Sequence, residues 1–278
     1  MSAPDPAAPD AVSAPDAVAA AESGLLDVRA LVKRFGGVTA VNALNMTVRA
    51  GDIHALIGPN GSGKTTTLNV ISALYRADGG SIRFDGTELI GRPSHAIARL
   101  GIARTFQNIR LFGELSVVEN VMIGRHVRTR VGFIGALLPG GATAREERAT
   151  RERAHELLEF VGLESAAGAA ARSLPYGDQR RVEIARALAS EPRLLLLDEP
   201  AAGMNPAETD TLVALLRRIR DQGTTLLLIE HDMNLVMSVS DRITVLNFGQ
   251  HIAEGPPDEV ARNRDVITAY LGGTLDAA

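Results

Sequence analysis

Gly58-Pro59-Asn60-Gly61-Ser62-Gly63-Lys64-Thr65 brings together the residue types that phosphate chemistry needs. Its closely spaced glycines let backbone N–H groups converge on phosphate oxygens, and a helix starting at Lys64 presents its positive end to the same charge. At this spacing Lys64 reaches β- and γ-phosphates and the Thr65 hydroxyl ligates Mg²⁺, with Thr66 beside it in the same candidate set. The competing reading is a glycine-rich turn with an incidental lysine. The apolar strand Ile53 to Ile57, ending directly in Gly58, argues against it.

A Mg²⁺ site beside phosphates also needs a rigidly held carboxylate. The unbroken apolar run Leu194 to Leu197 reads as a central parallel strand covered on both faces, and it ends in Asp198. If Asp198 serves the metal, the adjacent Glu199 is the carboxylate free to polarise an attacking water. Gln107 follows a strand candidate at Ile102 to Phe106, and His231 follows one at Thr224 to Ile229. Strand ends are where open α/β sheets present catalytic groups. Gln107 is a candidate contact to Mg²⁺ or the water; His231 is a candidate donor to the γ-phosphate or an orienter of that water. Taken alone, each reads more readily as a structural or surface polar residue, and the functional reading rests on the complete ordered set.

The elements that must hold these groups are legible from pattern. Leu25 to Phe35 opens the ordered part, and Leu44, Met46 and Val48 share one face of the next strand. Gly51-Asp52 reads as a hairpin turn. Lys64 to Leu74 reads as a helix, and Ser81 to Phe84, Ile243 to Leu246 and His251 to Glu254 as further strands. Between Gly113 and Ser173 the pattern turns helical. Thr143 with Glu146 predicts a capping box, and Ala154, Leu157, Leu158 and Val161 recur along one helical face. Pro139, Gly140 and Gly141 separate that helix from the apolar stretch Val131 to Leu138. The fold class expected is an α/β core with an antiparallel β region and an inserted helical subdomain at about 113–173.

Composition sets the outer limits. The chain has 278 residues, no cysteine and a formal net charge of -4. Disulfides and thiolate metal sites are excluded, and nothing in the overall charge attracts nucleic acid. The longest apolar runs fall well short of the roughly 20 residues of a membrane-spanning helix. Residues 1–22 are mostly Ala, Pro, Ser and Asp, without a basic leader or apolar stretch of a signal peptide, and are expected to be a disordered tail. Residues 23–278 are expected to form the working domain, with one phosphate loop.

In order, the chain carries the aromatic Phe35, the phosphate loop, Gln107, the segment Leu174-Pro175-Tyr176-Gly177-Asp178-Gln179-Arg180-Arg181, the pair Asp198-Glu199, and His231. This set resembles the ATP-binding subunit of ABC transporters over nearly all of Leu25 to Gly272. The resemblance implies a P-loop nucleotide hydrolase core of ABC type, with Phe35 stacking on adenine, Gln107 linking the Mg²⁺ site to a transmembrane partner, Glu199 assisting hydrolysis and His231 as the γ-phosphate switch. It also implies a head-to-tail dimer in which Leu174 to Gln179 face the other subunit's ATP.

Two departures stand out. The family signature usually has Ser and Gln where this chain has Pro175 and Asp178, so a hydroxyl for the opposing γ-phosphate is absent. Gly177 and the start of a helix near Asp178 still offer N–H groups, with Asp178 a candidate cap whose charge opposes phosphate. The loop after Glu199 reads Ala202-Gly203-Met204-Asn205-Pro206 where Ala-Leu-Asp is common.

That loop, the Tyr176-containing signature, the insertion Arg125 to Gly141 and a C-terminal segment at about 253–272 resemble the first ATPase subunit of branched-chain amino-acid importers. The partners so implied are a second homologous ATPase subunit, two transmembrane permeases and a periplasmic substrate-binding protein. The implied place is the cytoplasmic face of the bacterial inner or plasma membrane, held there through the permeases. Importers for amides, urea or aromatic acids are neighbouring readings, because nothing in the chain encodes the cargo. Two other classes compete: a soluble ATP-dependent factor on DNA or ribosomes, and a regulatory subunit that binds ATP without turnover. The cluster Arg125, His126, Arg128 and Arg130 is the one feature that favours nucleic acid, and no nucleic-acid partner is expected.

Overall fold

The computed structural model describes residues 24–127 and 141–272. Two sheets organise the chain. β1 (Leu26–Phe35) and β2 (Val38–Val48) pair antiparallel, β4 (Gly79–Phe84) pairs with the other side of β1, and the short β5 (Thr87–Glu88) closes the order β2-β1-β4-β5. The second sheet has the order β10-β9-β3-β8-β7-β6. Its strands β3 (Ile53–Ile57), β6 (Ile102–Arg104), β7 (Leu194–Asp198), β8 (Thr225–Ile229) and β9 (Arg242–Asn247) run parallel, and β10 (Gln250–Gly255) returns antiparallel along β9.

Alternation along the central strands explains why they read as unbroken apolar runs. Leu195, Leu197, Leu226 and Leu228 join one buried cluster, whereas Leu194, Leu196, Leu227 and Ile229 join another on the opposite face. The first cluster is completed by helices α3 (Val117–Gly124), α4 (Gly141–Phe160), α5 (Tyr176–Leu188), α6 (Pro206–Asp221) and α7 (Met233–Val239). The second is completed by the antiparallel sheet, α1 (Lys64–Ile71) and α2 (Ser94–Leu100). A sheet covered on both faces must be apolar on both faces. A third cluster behind β3 and β9 receives Val260 and Val266 from α8 (Pro257–Arg262) and α9 (Arg264–Gly272).

The expected strands are present, as is the buried face of Leu44, Met46 and Val48 and that of Ala154, Leu157, Leu158 and Val161. Four local readings change. Gly51-Asp52 is a turn between two sheets rather than a hairpin, because β2 and β3 pair with different neighbours. The helix after the phosphate loop ends at Ile71, with Ala73 at φ 55 just beyond it. β6 stops at Arg104, so Gln107 lies on a loop. Helix α4 already begins at Gly141, which puts Thr143 inside it rather than at a cap. Capping boxes form instead at Ser116 with Glu119 and at Asn205 with Glu208, where an extended residue precedes each helix. The tail 1–22, the stretch Val131 to Leu138, and Arg128 and Arg130 lie outside the described residues.

Candidate nucleotide site

The phosphate loop is built on backbone conformations that need glycine. Gly58 sits at φ +149, and a Cβ there would lie 2.0 Å from the carbonyl oxygen of Leu246; one on Gly63, at φ +101, would lie 2.3 Å from that of Ala40. Gly63 is also the N-cap of α1 and supplies no side-chain cap, which leaves the first N–H groups of the helix open to an anion. Lys64 is buried, and its Nζ donates to the carbonyl oxygens of Gly58 and Pro59 at 2.8 and 2.9 Å. Burial pulls its pKa down, opposed by the charges of Glu199 and Asp198. Thr65 is exposed on the first turn and Thr66 half-buried beside it; Asn60 and Gly61 are exposed, Pro59 is half-buried and Ser62 is buried.

Asp198 ends β7 with 2 % exposure. Burial pushes its carboxyl up, countered by Arg104, whose Nη2 lies 2.9 Å from Oδ2. Oδ1 is buried with no hydrogen-bond partner. An orphaned carboxylate oxygen is costly unless something else satisfies it. A hard divalent cation fits this donor set. Mg²⁺ is such a cation, taking few protein ligands and filling its shell with phosphate and water.

The remaining candidates meet at the ends of neighbouring strands. Gln107 Nε2 donates to Glu199 Oε2 at 3.1 Å, and His231 Nδ1 lies 3.8 Å from the same oxygen. Glu199 adopts φ +47, a left-handed backbone that turns the chain sharply off β7 while its N–H still bonds the Ile229 carbonyl at 2.9 Å. Strain of this kind persists where surrounding structure over-determines it. Glu230, 1 % exposed, accepts from the N–H groups of Ala201 and His231 at 2.8 and 3.1 Å and so ties together the loops that carry Glu199 and His231. Burial raises its pKa above the ordinary carboxylate range.

An ABC transporter family model covers residues 41–202, more than half of the chain. This chain belongs to the ABC transporter family. A model described as branched-chain amino acid ATP-binding cassette transporter covers residues 250–276. The high-affinity branched-chain amino acid transport ATP-binding protein BraF of Pseudomonas aeruginosa is 49% identical over 89% of this chain and 98% of its own length. The LivG protein of Escherichia coli K12, of the same description, is 47% identical over the same shares. Among solved structures, a nucleotide-free ATP-binding cassette from an ABC transporter superposes with a TM-score of 0.78 at 32% identity, covering 88% of this chain and 98% of that one.

In this ABC ATPase no hydrogen bond joins the signature segment 174–179 to the phosphate loop 58–66 among the described residues. It opens α5 instead. Pro175, extended at φ -53 and ψ 155, is the N-cap, so the helix starts at Tyr176, two residues earlier than expected. Asp178 is therefore inside the first turn and not the cap; its Oδ1 accepts from Arg181 at 2.6 Å, which pairs the charge that sequence reasoning set against phosphate. Gln179 Nε2 donates to the Leu174 carbonyl at 2.9 Å. Gly177 is buried, and a Cβ on it would lie 2.8 Å from Glu208 Oε1. Tyr176 is 43 % exposed.

Phe35 stands apart from the carboxylate cluster at the end of β1, half open to solvent, in an edge-to-face contact with Tyr75 at 5.2 Å. Sequence reasoning missed Arg104, Arg180 and Glu230. Their signal was weak: Arg104 and Glu230 stand in or beside short strands and Arg180 within α5, and in each case the charge is visible in the sequence but its partner is not.

Proposed function

We propose that this chain is the ATP-hydrolysing subunit of an importer for branched-chain amino acids or related small solutes. The observation that carries the reading is the meeting of Gln107, Glu199 and His231 beside the loop of Lys64, in a chain that aligns with nearly the full length of BraF and LivG. Phe35 would stack on adenine, the loop from Gly58 to Thr66, with the open N–H groups at the start of α1 and the Lys64 ammonium, would hold the phosphates, and Thr65, Asp198 and Gln107 would hold Mg²⁺. The cation would neutralise charge on the phosphate oxygens.

Glu199 is the group that orients and polarises the attacking water. Its carboxylate is preset by two neighbours, the Gln107 amide and the His231 ring. When the γ-phosphate arrives, Lys64 exchanges its two loop carbonyls for phosphate oxygens, and His231, 63 % exposed, is free to turn to them. Water attacks phosphorus in line, the bond to the ADP oxygen breaks, and the water's proton passes toward Glu199.

One phosphate loop and one signature segment per chain support a head-to-tail pair with a homologous subunit, Gly177 and the start of α5 facing the partner's nucleotide. Two permeases and a periplasmic substrate-binding protein would complete the assembly, placing the chain at the cytoplasmic face of the membrane. No helix among the described residues is long and apolar enough to cross a membrane. Co-purification with such permeases, followed by solute uptake in vesicles driven by internal ATP, tests the reading. Uptake that persists with Lys64→Ala in this subunit would overturn it.

A further inference from the structure

Arg104 joins two elements that the reading above places on either side of the metal. Its Nη1 donates to Asn69 Oδ1 at 2.7 Å and to Ser72 Oγ at 2.9 Å, both at the far end of the helix whose first turn carries Thr65. Its Nη2 donates to Asp198 Oδ2 at 2.9 Å, and the guanidinium lies 5.2 Å from the centre of the Phe106 ring. The side chain is 8 % exposed and that of Asp198 2 %. One planar group thus refers the position of the β7 carboxylate to α1, and it engages Oδ2 while Oδ1 stays buried and unpartnered.

We propose that Arg104 is a positioning residue for Mg²⁺: it holds the Asp198 carboxylate by one oxygen and leaves the other set toward the cation. The inference rests on the reading of Asp198 as a metal ligand. An arginine is required because the work needs a rigid fork with donors in two directions; a lysine supplies one point charge and cannot keep both anchors. Groups that hold a metal ligand in place tune affinity without touching the metal.

The test is equilibrium binding of a fluorescent ATP analogue to the full chain, in EDTA and in Mg²⁺, so that the gain in affinity due to the cation is read without turnover. Arg104→Met is expected to cut that gain by about tenfold while leaving affinity in EDTA close to wild type, and Arg104→Lys to recover part of it. Asn69→Ala, which removes one anchor and spares the ion pair, should give a smaller loss of the same kind and keeps the proposal testable if Arg104→Met does not fold. Equal loss with and without Mg²⁺ would mark Arg104 as merely structural and overturn the proposal. Asp198→Asn separates the two claims. If it loses the gain while Arg104→Met and Asn69→Ala keep it, Arg104 does not position the carboxylate and the Asp198 reading survives; if it keeps the gain, both fall.

Discussion

Arg180 Nη2 donates to the main-chain carbonyl of Gln107 at 2.7 Å, from a side chain with no solvent exposure. The same guanidinium bonds the Phe106 carbonyl, Tyr176 Oη and Glu183 Oε2 at 2.7, 3.1 and 2.8 Å. Arg186 adds a bond to the Arg110 carbonyl. The loop that brings Gln107 to Glu199 is therefore fastened to the helix that begins with the signature segment by charge-assisted hydrogen bonds from a buried guanidinium.

Arg180→Met should destabilise the fold by about 3 kcal/mol, because it removes the closest partner of the buried Glu183, at 2.8 Å, and leaves that carboxylate only Arg186 at 3.7 Å and the Arg110 N–H at 3.4 Å. Arg180→Met with Glu183→Leu should recover much of that loss in urea denaturation. Amide exchange around Gln107 should remain faster than wild type in the double variant, since its carbonyl anchor is gone. Wild-type exchange there would reject the fastening role.

Glu199→Gln keeps size and loses the carboxylate. ATP binding should persist while turnover in the assembled transporter falls by about a hundredfold or more. Equal steady-state rates would remove Glu199 from the reaction.

Gly58→Ala places a methyl against the Leu246 carbonyl at a backbone angle that side chains avoid. Strain of about 1–3 kcal/mol should lower the melting temperature and, by distorting the loop, weaken nucleotide binding. Normal binding in a calorimeter would show that the loop relaxes around it.

His54 is buried on β3 with Nε2 2.8 Å from Thr244 Oγ1, and burial lowers its pKa to about 3. Unfolded chain takes up the proton below about 6.5 and the folded chain does not until about 3. Stability contributed by neutral His54 is thus complete above 6.5 and is lost on acidification between those values, at up to about 1.4 kcal/mol per pH unit. Glu183 and Glu230, both raised by burial, act in the opposite sense. Comparing wild type with His54→Leu cancels their effect, and urea midpoints at pH 5.5 and 7.5 should show a shallower acid loss for the variant.

Much of the candidate site was legible because its parts are local. A glycine loop after an apolar strand, or Asp198 after Leu194 to Leu197, needs only neighbours in sequence to be recognised, since strand periodicity and φ demands act over a few residues. The buried faces of β2 and α4 followed for the same reason. Helix starts were less secure. Thr143 offered the right side chain, yet α4 begins before it, whereas Asn205 and Ser116 cap helices where the chain enters extended.

The amino-acid order by itself determined the phosphate loop, the acidic pair and the kind of sheet that presents them, because backbone geometry and burial pattern are short-range properties. Only the tertiary structure decided which charges answer one another. Arg104 and Asp198 are 94 residues apart, Gln107 and Glu199 92, and Arg180 and Gln107 73. Such partners are chosen by strand order and by the packing of α5 on the sheet, where a buried charge must find its counter-charge in space, and sequence spacing carries no record of that distance.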